Sequence, residues 1–194
     1  ERDWILFSPG VVPAINFAIQ AFSNEGDGII IQSPVYHPFF KAVDTNNRKL
    51  IINELINDDG YYRIDFEALE KSIDKNTKML VFCSPHNPVG RVWKEEELRK
   101  LGEIALKNNL IIFSDEIHAD IIFKGNKHIP IASLSKELAE ITITAYAPSK
   151  TFNIAGLKTS NVIIPNEVLR KKYDAVLARN GIHLSGIFGM VALE

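Results

Sequence analysis

The chain has 194 residues, 46% of them hydrophobic, enough for one sizeable core that buries roughly 70% of the surface an unfolded chain exposes. Its formal net charge is -2, from 22 basic and 24 acidic residues mixed along the sequence, so no footprint for nucleic acid or an anionic membrane appears and a small ligand is expected. Cys83 is the single cysteine, which excludes an internal disulfide and fits a reducing compartment. No apolar run approaches the ~18 residues of a membrane span, and the N-terminal residues lack the charged-then-apolar build of a signal peptide, so the expected location is cytoplasmic.

Residues 4–7 read as a strand that Ser8-Pro9-Gly10 breaks. Over 11–22 apolar residues recur at Ile15, Ala18, Ile19 and Phe22, helical spacing, so a glycine turn feeds a helix N-terminus. Such an end offers unpaired N–H groups at Val11 and Val12 that suit a phosphate, or it is an ordinary strand-loop-helix connection. Residues 28–32 form a short apolar strand running into Ser33-Pro34-Val35-Tyr36-His37-Pro38. Two prolines restrict the backbone there, so Tyr36 is either a flat face for a heteroaromatic ring or a packing residue. Residues 39–44 read as a helix and 49–55 as a strand. Asn57-Asp58-Asp59-Gly60 is a turn whose acidic pair is turn chemistry rather than a metal site, and Asp65 starts a helix over 64–73.

A buried-looking strand at 79–83 leads to Ser84-Pro85-His86-Asn87-Pro88-Val89-Gly90, a stiff turn that either aims the Asn87 amide or merely uses asparagine as a turn residue. An amide can donate to a phenolate oxygen without adding charge. The clearest amphipathic helix spans 95–108, and the strand at 110–113 ends at Ser114-Asp115-Glu116-Ile117-His118. A carboxylate after a buried strand is costly unless paired, so Asp115 is expected to face a cation or several donors. Asp115 and His118 also offer two metal ligands, with no third close by. A short helical piece begins at Ser133-Leu134-Ser135, and a strand over 141–146 stops at Ala147-Pro148. Lys150 follows, then a small-residue turn holding Gly156, a second cation at Lys158, a strand over 159–165, and a helix capped by Asn166 and Glu167 that runs to about 177. Lys150 at a strand end is read as the amine that forms an imine with an aldehyde cofactor; the alternative is one more solvated lysine. Both chain ends look cut, and Leu193-Glu194 reads as native or as a cloning scar.

Strand and helix alternate at least five times, which predicts an α/β fold, three-layer α/β/α around a mainly parallel sheet, as a single domain over 1–194. In that architecture Gly10, Tyr36, Asn87, Asp115 and Lys150, all following strands, converge at one edge. A pyridine aldehyde phosphate gives each group a use. Val11, Val12, Ser149 and Lys158 take the phosphate, Tyr36 covers a ring face, Asn87 and His118 reach the phenolic oxygen, Asp115 pairs with the ring nitrogen, and Lys150 makes the imine.

The segments Gly10-Val11-Val12-Pro13-Ala14, Pro34-Val35-Tyr36-His37-Pro38-Phe39, Pro85-His86-Asn87-Pro88-Val89-Gly90, Asp115-Glu116-Ile117-His118-Ala119-Asp120 and Ser149-Lys150-Thr151-Phe152-Asn153-Ile154-Ala155-Gly156-Leu157-Lys158 resemble, in order, those of fold-type I pyridoxal phosphate enzymes, the class I/II aminotransferase superfamily. The separations agree: 28 positions from Asn87 to Asp115, 35 from Asp115 to Lys150 and 8 from Lys150 to Lys158. Within it the chain is most similar to the MalY/PatB-like, cystathionine β-lyase type of C-S lyase. That resemblance implies pyridoxal 5'-phosphate as cofactor and β-elimination from L-cystathionine or cysteine conjugates, giving a thiol, pyruvate and ammonia. The alternative within the superfamily is amino transfer. Three positions depart from the commoner pattern: Ala147 replaces a serine, Lys158 an arginine and His118 a tyrosine. Lys158 would therefore act as a point charge rather than a bidentate fork. The resemblance also implies a homodimer with an amino-acid substrate, and a smaller domain built from both chain ends that carries the arginine for the substrate carboxylate. That domain is not evident here, so the chain is expected to be the large domain, which holds cofactor weakly and lacks turnover alone.

Overall fold

The computed structural model describes residues 1–184 and 186–192, so the Leu193-Glu194 pair lies outside it. In chain order the elements are β1 (Ile5–Ser8), α1 (Val11–Phe22), β2 (Gly28–Ser33), α2 (Pro38–Thr45), β3 (Lys49–Glu54), β4 (Ile56–Asp58), β5 (Tyr61–Arg63), α3 (Phe66–Ser72), β6 (Thr77–Cys83), α4 (Glu95–Lys107), β7 (Ile111–Asp115), α5 (Lys136–Ile141), β8 (Thr142–Tyr146), β9 (Ser160–Ile163), α6 (Glu167–Arg179) and α7 (Ile187–Val191). Short 3-10 turns lie at Arg2–Trp4, Ile131–Ser133 and Ala155–Leu157.

Seven strands make one sheet in the order β1-β9-β8-β7-β6-β2-β3. The run from β8 to β3 is parallel throughout, and β9 is antiparallel to both β8 and β1. The reason is the connection. A parallel return needs an element to carry the chain back across the sheet, and between β8 and β9 there is only the Lys150 loop, so β9 comes back antiparallel. Because β9 reverses twice over, β1 runs in the same sense as β8, and the ends of β1, β2, β6, β7 and β8 all reach one edge.

The sheet is covered on both faces, as the near-continuous apolar runs of its central strands require. Side chains alternate along each strand. Ile29 and Ile31 of β2, Met79, Val81 and Cys83 of β6 and Phe113 of β7 pack with Ile15 and Ile19 of α1, Phe39 of α2 and Tyr173 of α6. Ile30, Leu80, Phe82 and Ile112 pack on the other face with Leu69 of α3, Leu98, Leu101 and Ile104 of α4 and Leu138 of α5. Helix starts follow local chemistry: the Asp65 carboxylate accepts from Ala68 N–H at 2.9 Å, and Asn166 Oδ1 accepts from Val168 and Leu169 N–H at 2.9 and 3.1 Å.

Three departures from the sequence expectation have a clear local cause. Trp4 closes a 3-10 turn and the first strand begins at Ile5, the first residue whose ladder partner exists in β9 (Ile163). Ile141 ends a helix instead of opening a strand, because Ser135 caps that helix through Leu138 N–H at 3.2 Å and the coil runs on to the last apolar residue before Thr142. The turn at 57–60 joins two strands, β4 and β5, through Asp59 (φ 47) and Gly60 (φ 87), both left-handed as a two-residue hairpin loop prefers. Three residues a side are too few to show alternation in the sequence.

Candidate active site

The strand ends meet around a cleft of about 490 Å³, within the range of small-molecule sites. All nine residues singled out in the sequence line it: Val11 and Val12, Tyr36, Asn87, Asp115, His118, Ser149, Lys150 and Lys158.

Asp115 is the last residue of β7, in register with Cys83 of β6 and Ala145 of β8. Its neighbours on the sheet carry no charge, and it is 4% exposed. The pairing expected for such a carboxylate is not there. Oδ1 accepts Ile117 N–H at 3.1 Å, and among the described residues no cation lies within ion-pair distance. Burial therefore pushes its pKa up to about 7; the Ile117 N–H pulls it down, Glu116 adds to the rise, and the Lys150 charge pulls it down again. A buried acceptor with spare capacity on a cleft floor suits a ligand that brings an N–H cation. Cys83 beside it is inert as a nucleophile, since burial and then the Asp115 charge push its thiol upward.

Lys150 lies on an exposed turn just past β8, held by Phe152 N–H to Pro148 O at 3.0 Å and Ile154 N–H to Ser149 O at 3.1 Å. It is solvated, as the plain reading of a lysine requires, yet it lines the same cleft as Asp115. His118 is half-buried, and burial followed by the Lys150 charge lowers its pKa, which favours neutral imidazole. Among the described residues no group of three or more His, Cys, Asp or Glu is placed to hold a metal ion, so Asp115 and His118 stand without a third ligand.

Also lining the cleft, Gly10 caps α1 with φ 119 and ψ 160, a backbone region essentially confined to glycine. That turn delivers the first N–H groups of α1 to the cleft, next to Ser149 and Lys158. Lys158 is itself left-handed (φ 51, ψ 44). A Gly10→Ala change meets no severe clash, its nearest contact being Pro13 Cδ at 3.5 Å, so its cost is backbone strain of about 1–3 kcal/mol. Urea unfolding is expected to show that loss, together with weaker binding of phosphate-bearing ligands.

Tyr36 is 41% exposed and meets the edge of Phe39, with centroids 6.4 Å apart and planes at 76°, so much of its ring face is open to a ligand. Asn87 N–H donates to Cys83 Sγ at 3.4 Å, while its side-chain amide has no hydrogen-bond partner among the described residues. What couples these two loops is invisible in the sequence. His86 donates its Nε2–H to the Pro34 carbonyl at 2.9 Å and sets its ring edge-on to Trp93, centroids 5.5 Å apart. Burial drops its pKa to about 4, so the tie is made by neutral imidazole. His128, also without a sequence-level role, shares a 2.7 Å hydrogen bond with buried Glu116, whose other oxygen accepts from Ser114 Oγ at 2.9 Å. No spacing rule would have found either histidine, because each partner is met through folding.

Comparison with known proteins agrees with this geometry. The sequence model of the family Aminotransferase class I and II matches residues 1–181. The chain is 48% identical over 191 residues to cystathionine beta-lyase PatB of Bacillus subtilis, which covers 98% of this chain and 49% of that protein. It is 34% identical over 188 residues to a cystathionine beta-lyase of Corynebacterium glutamicum, covering 96% of this chain and 48% of that one. The crystal structure of cystalysin from Treponema denticola, which contains a pyridoxal 5'-phosphate cofactor, superposes with a TM-score of 0.95 at 50% identity, covering 97% of this chain and 48% of the other. The chain thus spans about half the length of the curated relatives it matches. Sequence, α/β topology and the grouping of residues at the strand ends agree, and the chain belongs to the aminotransferase class I and II family.

Proposed function

We propose that this chain is the large, cofactor-binding domain of a pyridoxal phosphate-dependent C-S β-lyase, a cytoplasmic homodimer in its full form, that eliminates a thiol from L-cystathionine or cysteine conjugates. The observation that carries the reading is Asp115: a carboxylate 4% exposed, without a counter-charge among the described residues, on the floor of a cleft whose rim holds Lys150. That environment fits a pyridine nitrogen carrying a proton. The similarity to cystathionine β-lyases at 48% and 34% identity supports the lyase over the transaminase outcome.

When bound, pyridoxal phosphate supplies an electron-withdrawing ring that stabilises negative charge at the substrate's Cα. The protein's own groups set the conditions for that chemistry. Asp115 would keep a proton on the ring nitrogen, its own charge being favoured once a cation faces it. Asn87 and His118 would donate to the phenolic oxygen, and Tyr36 would cover a ring face. The α1 N-terminus, Ser149 and Lys158 would hold the phosphate. Lys150 would hold the aldehyde, and its free amine would be the base that takes the proton from Cα and the acid that returns one to the departing sulfur.

A protein carrying this domain at the length of its relatives is expected to release pyruvate from L-cystathionine without any added keto acid. Pyruvate formation that depends on a keto acid acceptor, with the amino group recovered on that acceptor, would overturn the lyase assignment.

A further inference from the structure

We propose that Asp120 is a positioning residue for Lys150, a carboxylate that clamps the lysine turn to the sheet by holding the residues on either side of it. The inference rests on the reading of Lys150 given above, but its geometry stands alone. Asp120 Oδ2 accepts a hydrogen bond from Thr151 Oγ1 at 2.8 Å, and the Tyr146 hydroxyl donates to the same oxygen. Tyr146 is the last residue of β8 and Thr151 directly follows Lys150. The lysine is thus bracketed between a strand end and a turn position that share one acceptor.

The rest of the turn makes that acceptor matter. Over residues 148–154 the backbone hydrogen bonds are local, Phe152 to Pro148 and Ile154 to Ser149, and Leu157 returns to Ile154. Among the described residues, the bond from Thr151 to Asp120 is the one that leaves this segment for the body of the fold. Thr151, Phe152 and Asn153 are exposed and Asn153 is left-handed (φ 55), so packing supplies little restraint. Asp120 reaches the turn from the segment that carries His118, which lines the same cleft as Lys150. Both donors hold the Asp120 carboxyl below its usual pKa, Tyr146 more than Thr151, so the clamp is charged at neutral pH.

Restraint of a turn that bears a reacting amine acts on rate through orientation, and a misplacement near 1 Å is enough to cost about 100-fold. Three variants test the clamp: Asp120→Ala, Thr151→Val and the double variant, with Asp120→Asn as the conservative control that keeps an acceptor oxygen. In this chain, without cofactor, hydrogen exchange of the amides at 149–154 is expected to speed up about tenfold in Asp120→Ala and Thr151→Val alike, with no further change in the double variant and most of the protection restored in Asp120→Asn. Exchange elsewhere in the sheet should not move. With pyridoxal phosphate added, the absorption band of the lysine-bound cofactor should form more slowly in Asp120→Ala, and in the full-length protein kcat should fall more than KM rises. Unchanged exchange at 149–154, or acceleration spread evenly over the sheet, would overturn the clamp. If no variant, nor the parent, shows the absorption band, the cofactor reading fails while the exchange result still decides the clamp.

Discussion

Lys150→Ala is expected to abolish the visible absorption band that appears when pyridoxal phosphate is added to the parent protein, and to lower turnover by about 10⁴-fold in the full-length enzyme. On the proposed reading two functions would be lost together, because one amine both anchors the aldehyde and serves as the base for the substrate's Cα. The fold should survive, since Lys150 is exposed on a turn outside both core clusters. Circular dichroism and the urea midpoint of the variant should therefore match the parent. Lys158 is the control. It lines the same cleft from the far side of the loop, and under the proposed phosphate role its replacement by alanine should weaken cofactor binding while leaving the band in place. A band that survives Lys150→Ala and disappears in Lys158→Ala would exchange the two roles.

Asp115→Asn should move stability and activity in opposite directions. A carboxyl whose folded pKa stands near 7 against an ordinary value of 3.8 binds its proton more tightly when folded. Its contribution to stability is present below about pH 4 and is lost as pH rises through about 7, a swing on the order of 4 kcal/mol. Asparagine carries no charge to desolvate, so in cofactor-free protein the variant should be the more stable one at pH 8, with the gap closing toward pH 4. Carboxyls held below their ordinary pKa, such as Asp120 and Asp74, contribute the opposite slope and are common to both proteins, so the difference between the two curves isolates Asp115. Activity should fall by about 10²–10³-fold, the usual loss when a fixed charge opposite a developing one is removed. Urea unfolding across pH 4 to 8 measures the first effect. A parent and variant with parallel pH profiles would show that Asp115 is already compensated in the folded chain. If the site holds a cation, as proposed, it keeps a carboxylate whose burial is unfavourable until that cation arrives.

Much of this was legible along the chain because it is local. The period of apolar residues marks α1 over Val11–Phe22 to the residue, and alternating strand and helix signals predict the three-layer fold. Asp115, Asn87 and Lys150 are conspicuous for a related reason. Each is a polar side chain set at the end of an apolar strand or inside a proline-restricted turn, where chain-local rules leave few other uses for it. The motif order then ties these positions to one family.

Partnerships between distant segments were decided only on folding. The reversal of β9 follows from which strand it lies beside, and a short strand of four residues carries no mark of direction. Whether Asp115 meets a cation depends on what β6, β8 and the Lys150 turn place around it, and they place Cys83, Ala145 and a solvated lysine. His86 finds the Pro34 carbonyl 52 positions away, and Asp120 finds Tyr146 and Thr151 at separations of 26 and 31. The sequence by itself therefore determined the layers of the fold and the chemical groups brought to its active edge, since both follow from periodicity and chain-local geometry. Tertiary structure alone decided how those groups are charged and held, because burial and hydrogen-bond partners are properties of the packed chain and not of any stretch within it.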